Sequence, residues 1–291
     1  MEILETHRAL LDRLLPDDEP AERTVRRGQF HHVVIGSDRV VCLPRTDAVA
    51  SRLPDRAATL RTLAALDLGF RTPEPLCEGG GHEDAEEASE MPFLVLSRIP
   101  GAPLEPGALD DPLVADAVAE QYASLLAGLA RAGTDETVRA ALPRAPEGRW
   151  REFAADVRAE LLPLMSGSGR RRAERELAAL DTLPHLTCAV VHGDLGAENV
   201  LWEHTGGVPR LSGVVDWDEA GLGDPAEDLA AVGASYGRDF LGRVLARGDR
   251  PADGLAARVA AIRGTFALQQ ALSGYRDGDE EELAEGLAGY R

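Results

Sequence analysis

Apolar and polar positions follow two different patterns along this chain, and strand-like patterns dominate its first hundred residues. Residues 2–15 place apolar side chains at helical spacing and predict a small helix that ends before Pro16. Two β-rich runs follow, Thr24–Ile35 and Arg39–Leu43, and the Gly36-Ser37-Asp38 segment between them is typical of a hairpin turn. The N-terminal part therefore predicts antiparallel strands.

Beyond Asp110 the apolar residues recur every three or four positions and charged residues take the opposite face, which is typical of amphipathic helices. The predicted helices are Val114–Ala132, Trp150–Met165, Arg170–Leu180, Phe240–Ala246, Leu255–Leu272 and Glu280–Leu287. We expect an α+β fold with a small strand-rich N-lobe at 1–96, which ends with the apolar strand Phe93–Leu96, and a larger, mainly helical C-lobe at 102–291. The polar, glycine-rich segment Glu78–Glu90 predicts a loop within the N-lobe.

Acidic and amide side chains cluster between three short apolar runs in the second half. The loop VHGDLGAEN at 191–199 follows the predicted strand Ala189–Val191 and leads into a second one, Val200–Trp202. The chain turns at 205–207, and Leu211–Val215 returns to deliver Asp216. Asp and Gly also favour turns for conformational reasons alone. Two acids displayed around a small hairpin nevertheless indicate a functional site.

Each of these side chains suits one part of a phosphoryl transfer. Asp194 is the candidate catalytic base, because a carboxylate can accept the proton of an acceptor hydroxyl. Asn199 and Asp216 offer the hard oxygen ligands that Mg²⁺ prefers, so we expect them to hold the metal. His192 and Asp228 are expected to be structural, His192 as a brace of the loop and Asp228 as a support of the loop from within.

The composition and net charge of the chain limit the classes of partner that it is expected to bind. The chain has 291 residues, 44% of them hydrophobic, and a formal net charge of −19. Such acidity disfavours nucleic acid and favours a cationic ligand through long-range attraction, although an acidic surface also serves solubility alone. Candidate contacts to a cationic substrate are Asp218, Glu219, Asp277 and Glu281, but the acidic run at 277–285 also reads as a solvated helix start.

Cysteine usage and hydropathy indicate the compartment. The three cysteines, Cys42, Cys77 and Cys188, show no zinc spacing and cannot form a disulfide framework. With no long apolar run either, we expect a cytoplasmic protein without a signal peptide or membrane span.

Together these segments resemble a known family. The sequences HGDLGAEN at 192–199, VDWD at 215–218 and GDPAEDLA at 223–230 are similar to the catalytic loop, metal-binding segment and following helix start of the aminoglycoside phosphotransferase family of kinase-like resistance enzymes. The similarity continues at THR (6–8), GQFHHVVIG (28–36), PFLVLSRIPG (92–101) and RGTFALQQ (263–270). Within the family the chain most resembles the enzymes that act on tuberactinomycin cyclic peptides, viomycin and capreomycin.

The resemblance implies a bilobal, protein-kinase-like fold, ATP as donor, Mg²⁺ as cofactor and a serine-type hydroxyl of such a peptide as acceptor. It also implies that residues 97–101 are the hinge between the two lobes and that backbone groups of Ser97 to Ile99 bind the adenine edge. Leu201 and Val215 would lie beneath and behind the base, although both are equally plausible as plain core residues. The loop at 27–32 takes the place of a glycine-rich phosphate cover but contains a single glycine.

The cationic phosphate anchor departs from the usual kinase pattern. Kinase-like enzymes carry a Lys on the third strand, paired with a Glu on the next helix. This chain has no lysine, and Cys42 or Pro44 falls where that Lys would be. Arg45 is the nearest cation, and Arg56 falls near the expected Glu position in the predicted helix 55–66. Our hypothesis is that Arg56 or Arg45 contacts the phosphates; the alternative is two solvated surface arginines.

Two other functions stay open. The same core motifs serve kinases for other small alcohols, such as choline, homoserine, sugars, macrolides and aminoglycosides. A catalytically silent protein that binds and sequesters a cationic antibiotic is the second, and the missing lysine favours it.

Overall fold

A five-stranded antiparallel sheet forms the N-terminal part of the structure, a computed structural model that describes residues 2–28, 30–80, 91–105, 107–205, 207–248 and 254–291. Its strands are β1 Thr24–Arg27, β2 His31–Ile35, β3 Arg39–Pro44, β4 Pro75–Gly79 and β5 Phe93–Ser97, in the order β1-β2-β3-β5-β4. The predicted hairpin is confirmed, because Ile35 pairs with Val40 and the Gly36 N–H donates to the Arg39 carbonyl at 2.9 Å.

The predicted run Thr24–Ile35 is two strands, because the chain reverses at Gly28, whose N–H donates to the His31 carbonyl at 2.9 Å. Gln29 of the predicted phosphate cover, Gly206 of the predicted turn and residues 81–90 of the predicted loop lie outside the described residues.

The pleat of β3 sends alternate side chains to opposite faces of this sheet. Val41 and Leu43 pack with α2 (Arg8–Leu14), which follows α1 (Glu2–Thr6). Cys42 points the other way and contacts Arg56 on α4 (Leu53–Ala64). The short helix α3 (Asp47–Ala50) precedes α4, and the side chain of the preceding residue, Thr46, caps its N-terminus by accepting the N–H of Val49.

A second hairpin packs against the N-terminal elements. It consists of β7 (Val200–Thr205) and β8 (Val208–Val214). Gly213 of β8 pairs with Arg71, and a Cβ at Gly213 would meet the Arg71 carbonyl oxygen at 2.3 Å, so this close approach requires glycine.

The other described elements are mainly helical. They are α5 Pro112–Ala132, α6 Glu136–Ala141, α7 Arg149–Asp156, α8 Gly167–Leu180, β6 Ala189–Val191, β9 Gly221–Gly223, α9 Ala226–Leu245, α10 Leu255–Gly264, α11 Phe266–Asp277 and α12 Glu280–Gly286. One hydrophobic cluster joins α7, α8 and α11 through residues that include Leu161, Leu177 and Leu268, all fully buried. No helix within the described ranges is both long enough and apolar enough to span a bilayer.

Three predicted helices differ from the structure in continuity. The prediction Trp150–Met165 is wrong as a single helix, because α7 passes into a π-helical turn at Val157–Leu161 and a 3₁₀ turn at Leu162–Leu164. The predicted Leu255–Leu272 is divided at Thr265, whose hydroxyl donates to the Ile262 carbonyl at 2.8 Å.

The predicted Phe240–Ala246 is the end of the longer α9, which bends at Gly237 with a φ of 84°. Glycine adopts this left-handed conformation without strain.

Contacts divide the chain into two units, which we describe separately. Unit 1 comprises Met1–Gln121, Ala140–Leu142 and Glu198–Glu219, and unit 2 comprises Tyr122–Arg139, Pro143–Ala197 and Ala220–Arg291. The hairpin β7–β8 falls in unit 1 because it pairs with Arg71 and Ala102. The lobes predicted at 1–96 and 102–291 stay a prediction, because the two units are defined by contacts and have different boundaries. The α+β class with a strand-rich N-terminal sheet and a helical C-terminal region is confirmed.

Candidate active site

The loop that carries Asp194 begins at the end of β6 in unit 2. β6 pairs antiparallel with β9, with Val191 opposite Gly221, and Gly193 then turns the chain with a φ of 89°. A left-handed residue at this point favours glycine. The side chain of Asp194 is exposed at the turn, so it can reach a substrate hydroxyl.

Two side chains hold the backbone of this loop. Asp228, near the start of α9 and almost fully buried, accepts hydrogen bonds from the N–H groups of His192 at 3.0 Å and Gly193 at 3.0 Å. The ring of buried His192 accepts the N–H of Asp194 at Nδ1, at 3.2 Å, so this nitrogen carries no proton in that arrangement. These contacts are the geometry that the predicted structural roles of His192 and Asp228 require.

Ser235 holds the other side of the loop, and sequence reasoning did not single it out. Its hydroxyl accepts the N–H of Ala197 at 3.0 Å. Ser235 lies seven residues after Asp228 on α9, so the two side chains project from the same face two turns apart. The i, i+7 spacing of Asp228 and Ser235 was the available signal in the sequence. A serine on a helix does not by itself indicate a contact with a distant loop, so the fold was needed to identify this one.

Asn199 and Asp216 lie on adjoining segments within unit 1. Asn199 ends a 3₁₀ turn at Ala197–Asn199, and its carbonyl accepts the N–H of Val215 at 2.9 Å. Asp216 follows directly, exposed, and is the non-glycine residue of the described chain with a left-handed φ, at 65°. Such backbone strain is characteristic of functional positions.

These two residues fit a magnesium ion in the chemistry of their oxygens. An amide oxygen and a carboxylate are hard ligands, and Mg²⁺ keeps waters and takes phosphate oxygens for its other positions. In the described residues no three His, Cys, Asp or Glu side chains form a metal-binding group. Asn199 and Asp216 supply two of the ligands that such an ion takes, which suits an ion shared with a nucleotide.

The residues expected around the base also belong to unit 1. Leu201 and Val215 are half-buried, and Ile99 is buried. The N–H groups of Ser97 and Arg98 already donate to the carbonyls of Glu74 and Asp38, at 2.8 and 2.9 Å. Among the N–H groups of Ser97 to Ile99, the one at Ile99 is therefore the candidate for the expected adenine contact.

The two candidate phosphate-binding arginines have different surroundings. Arg45 is exposed, and its Nη1 donates to the Gly28 carbonyl at 3.0 Å, which braces the turn between β1 and β2. The side chain of Arg56 is largely buried, contacts the Cys42 thiol and forms an ion pair with Asp218. Burial lowers the pKa of the Arg56 guanidinium, but nearby Cys42, Asp218 and Asp216 raise it above its usual value.

His31 completes this buried group of side chains and was not predicted as a site residue. Its Nδ1 lies 3.6 Å from a carboxylate oxygen of Asp218. Burial and the charge of Arg56 lower the pKa of His31 to about 4, against an opposing effect of Asp218. The ring is therefore neutral near pH 7, and Arg56 is the charged partner of Asp218.

The predicted acceptor contacts fall into two groups. Asp218 forms an ion pair with Arg56 and lies beside His31. Its carboxylate therefore already has a cationic partner within the protein, which does not support the predicted contact with a cationic substrate. Glu219, Asp277 and Glu281 are exposed and stay predictions. Asp279 caps α12 by accepting the N–H groups of Glu281 and Glu282, so the acidic run is a helix start.

Comparison with known proteins gives a consistent result. The family model described as the phosphotransferase enzyme family, APH, matches residues 23–262. Over the full length of both chains, 69% of residues are identical to a viomycin phosphotransferase of Streptomyces vinaceus.

Solved structures share the fold. The GDP complex of aminoglycoside 2'-phosphotransferase-IIIa has a TM-score of 0.79 at 22% identity and covers 97% of this chain and 95% of its own. A macrolide 2'-phosphotransferase type I has a TM-score of 0.72 at 25% identity, with 98% and 97% covered. Since the family model spans the loop of Asp194, the segments of Asn199 and Asp216 and the sheet before them, this chain belongs to the APH phosphotransferase enzyme family.

Proposed function

We propose that this protein inactivates a tuberactinomycin antibiotic, viomycin or capreomycin, by transferring the γ-phosphoryl group of ATP to one of its hydroxyls. The observation that carries the acceptor class is the 69% identity to a viomycin phosphotransferase across 100% of both chains. Likeness of this extent includes the parts of the chain that would select the acceptor as well as those that would bind nucleotide.

Asp194 orients the acceptor hydroxyl and takes its proton as the phosphoryl group arrives. Transfer through a loose transition state relies on position and charge more than on covalent chemistry, so the held loop matters as much as the carboxylate. Asp228 and Ser235 hold the loop backbone from one helix, on either side of Asp194. The side chain itself stays exposed to substrate.

Asn199 and Asp216 hold Mg²⁺, which neutralises phosphate charge when bound. The Ile99 N–H binds the adenine edge, with Leu201 and Val215 in contact with the base. Both the predicted N-lobe at 1–96 and the hinge at 97–101 belong to this nucleotide-binding function. Use of ATP suits a cytoplasmic location, where the nucleotide is abundant.

The acceptor is a cation, and the charge of the chain favours it. A net charge of −19 attracts cationic antibiotics and repels nucleic acid. Glu219, Asp277 and Glu281 are exposed carboxylates that bind the cationic groups of the acceptor.

One observation favours a second candidate, a silent protein that binds antibiotic without reaction. Cys42 lies where a kinase carries its cationic anchor, and burial raises the pKa of its thiol, so the position is uncharged. A protein without a phosphate anchor would bind the antibiotic and leave ATP intact.

The test is ATP and GTP consumption with Mg²⁺ in the presence of viomycin, capreomycin, kanamycin and a macrolide, with mass spectrometry of each antibiotic. The proposal predicts the gain of one phosphoryl group, about 80 Da, on the cyclic peptides. Transfer to kanamycin or the macrolide alone would contradict the acceptor class. Tight antibiotic binding with no nucleotide consumed would establish the silent protein instead.

A further inference from the structure

The group formed by Cys42, Arg56, Asp218 and His31, here called the Arg56 cluster, inverts a charge arrangement that kinases use. In a kinase the cation is on the third strand and its acidic partner is on the following helix. Here β3 presents the uncharged thiol of Cys42 and α4 presents the guanidinium of Arg56, in contact with each other. The cation is therefore on the helix.

Arg56 lacks partners for part of its hydrogen-bonding capacity. Its Nε faces Oδ1 of Asp218 as an ion pair, without the alignment of a hydrogen bond. Its Nη1 is buried and has no acceptor among the residues that the structure describes. An unmet donor on a buried charge is costly, so this geometry suits a guanidinium that is completed by an anionic ligand.

Asp218 fixes where that guanidinium lies. Trp217, its neighbour, is buried, donates from Nε1 to the Val214 carbonyl at 2.9 Å and stacks on Phe70 with ring centroids 6.4 Å apart. The segment that carries Asp216 and Asp218 is thus anchored in the core of unit 1. Asp216, two residues before Asp218, is near enough to Arg56 for its charge to act on the guanidinium.

We propose that Arg56 binds the phosphates of the nucleotide from α4, in place of a strand lysine, and that Asp218 is its positioning residue. The inference rests on the proposed function, because it concerns the nucleotide of that reaction. Arg45 is the less suitable cation, since it is exposed and braces the Gly28 carbonyl. A guanidinium fork can bind two phosphate oxygens through two parallel N–H donors in a fixed geometry, whereas a lysine acts as a point charge.

The experiment compares the binding of ADP, ATP and adenosine without any antibiotic, so its result does not depend on the acceptor. Arg56→Met combined with Asp218→Asn removes both charges of the pair. No buried charge is left unpaired, so the double variant should still fold. We expect this double variant to bind ADP and ATP about 10- to 100-fold more weakly than wild type and to bind adenosine equally well. Arg61→Met is the matched control, because Arg61 is on the same helix but exposed and paired with Glu78 at 2.6 Å.

Asp218→Asn alone tests the positioning role. We expect the nucleotide KM to rise several-fold with kcat nearly unchanged, and Asp218→Glu to recover part of the loss. Unchanged ADP binding in the folded double variant would overturn the proposal. An equal loss of affinity for adenosine and for ADP would also overturn it, because that result would indicate a structural role for the pair. If wild type itself binds neither ADP nor adenosine, the proposed function is wrong. If wild type binds both and the double variant binds them equally well, only the role of Arg56 is wrong.

Discussion

Replacing Asp228 by Ala should lower stability and turnover together, because one buried carboxylate holds the loop that carries Asp194. Asp228 accepts the N–H of His192 at 3.0 Å and that of Gly193 at 3.0 Å, and the variant removes the acceptor of both, although the exposed N–H of Gly193 can donate to water instead. A buried unmet donor costs about 1–3 kcal/mol. Because His192 is fully buried and Gly193 is exposed, the sum is about 2–4 kcal/mol.

The loss of stability is read as a fall in melting temperature of about 5–10 °C for a chain of this size. Turnover should fall about 10- to 100-fold, since displacement of a catalytic group by about 1 Å can have that effect. Nucleotide affinity should change little, because Asn199 and Asp216 are held within unit 1. Asp228→Asn retains one acceptor oxygen and should lose about half as much stability.

Glu227→Gln is the matched control. Glu227 precedes Asp228 on the same helix, is buried, is paired with Arg149 at 2.6 Å and accepts the N–H of Asp224 rather than one from the catalytic loop. This control should lose stability and keep its turnover. A folded Asp228→Ala protein with turnover within twofold of wild type would refute the argument, and so would a Glu227→Gln protein that loses turnover to the same degree.

Ser235, His31 and Asp216 give three further predictions. Ser235→Ala removes the acceptor of the Ala197 N–H and should lower kcat about two- to tenfold with less than about 1 kcal/mol of stability lost, measured by steady-state kinetics and thermal unfolding. The pKa of His31 is lowered from 6.5 to about 4, so the unfolded chain binds a proton at a higher pH than the folded chain does. The free energy of unfolding should therefore fall by about 2–3 kcal/mol as the pH is lowered from about 6.5 to 4. In His31→Gln, the denaturation midpoint should depend much less on pH between about 6.5 and 4. Asp216→Ala should weaken nucleotide binding in Mg²⁺ and remove its dependence on the metal in titration calorimetry, whereas undiminished Mg²⁺ dependence would exclude Asp216 as a ligand.

The local patterns of the sequence predicted β3, β5, β6 and the hairpin β7–β8, but they joined β1 and β2 into one run and did not predict β4 or β9. Two β-rich runs with Gly36-Ser37-Asp38 between them predict the β2–β3 hairpin, and helical spacing predicts most of the helices. Helix interruptions at Val157–Leu161 and Thr265 were missed, because both segments keep apolar spacing while tertiary packing decides the backbone.

The partners of the charged residues could not be predicted in the same way. Asp218 and Arg56 are 162 positions apart, and only the fold brings them together. The sequence showed that the lysine expected on the third strand is missing and offered two replacements, Arg45 and Arg56. Burial and the contact with Cys42 distinguish Arg56 from exposed Arg45, and neither is visible in a local pattern.

The most direct test of the central claim is phosphoryl transfer to viomycin by wild type and by Asp194→Ala, with ATP and Mg²⁺, followed by mass spectrometry and by nucleotide binding on the same preparations. Wild type should yield the phosphorylated antibiotic, and the variant should bind ATP with wild-type affinity but show below about 1% of the turnover. Turnover by the variant at a tenth of the wild-type rate or more would contradict the role of Asp194, and an unmodified antibiotic with wild type would contradict the proposed function itself.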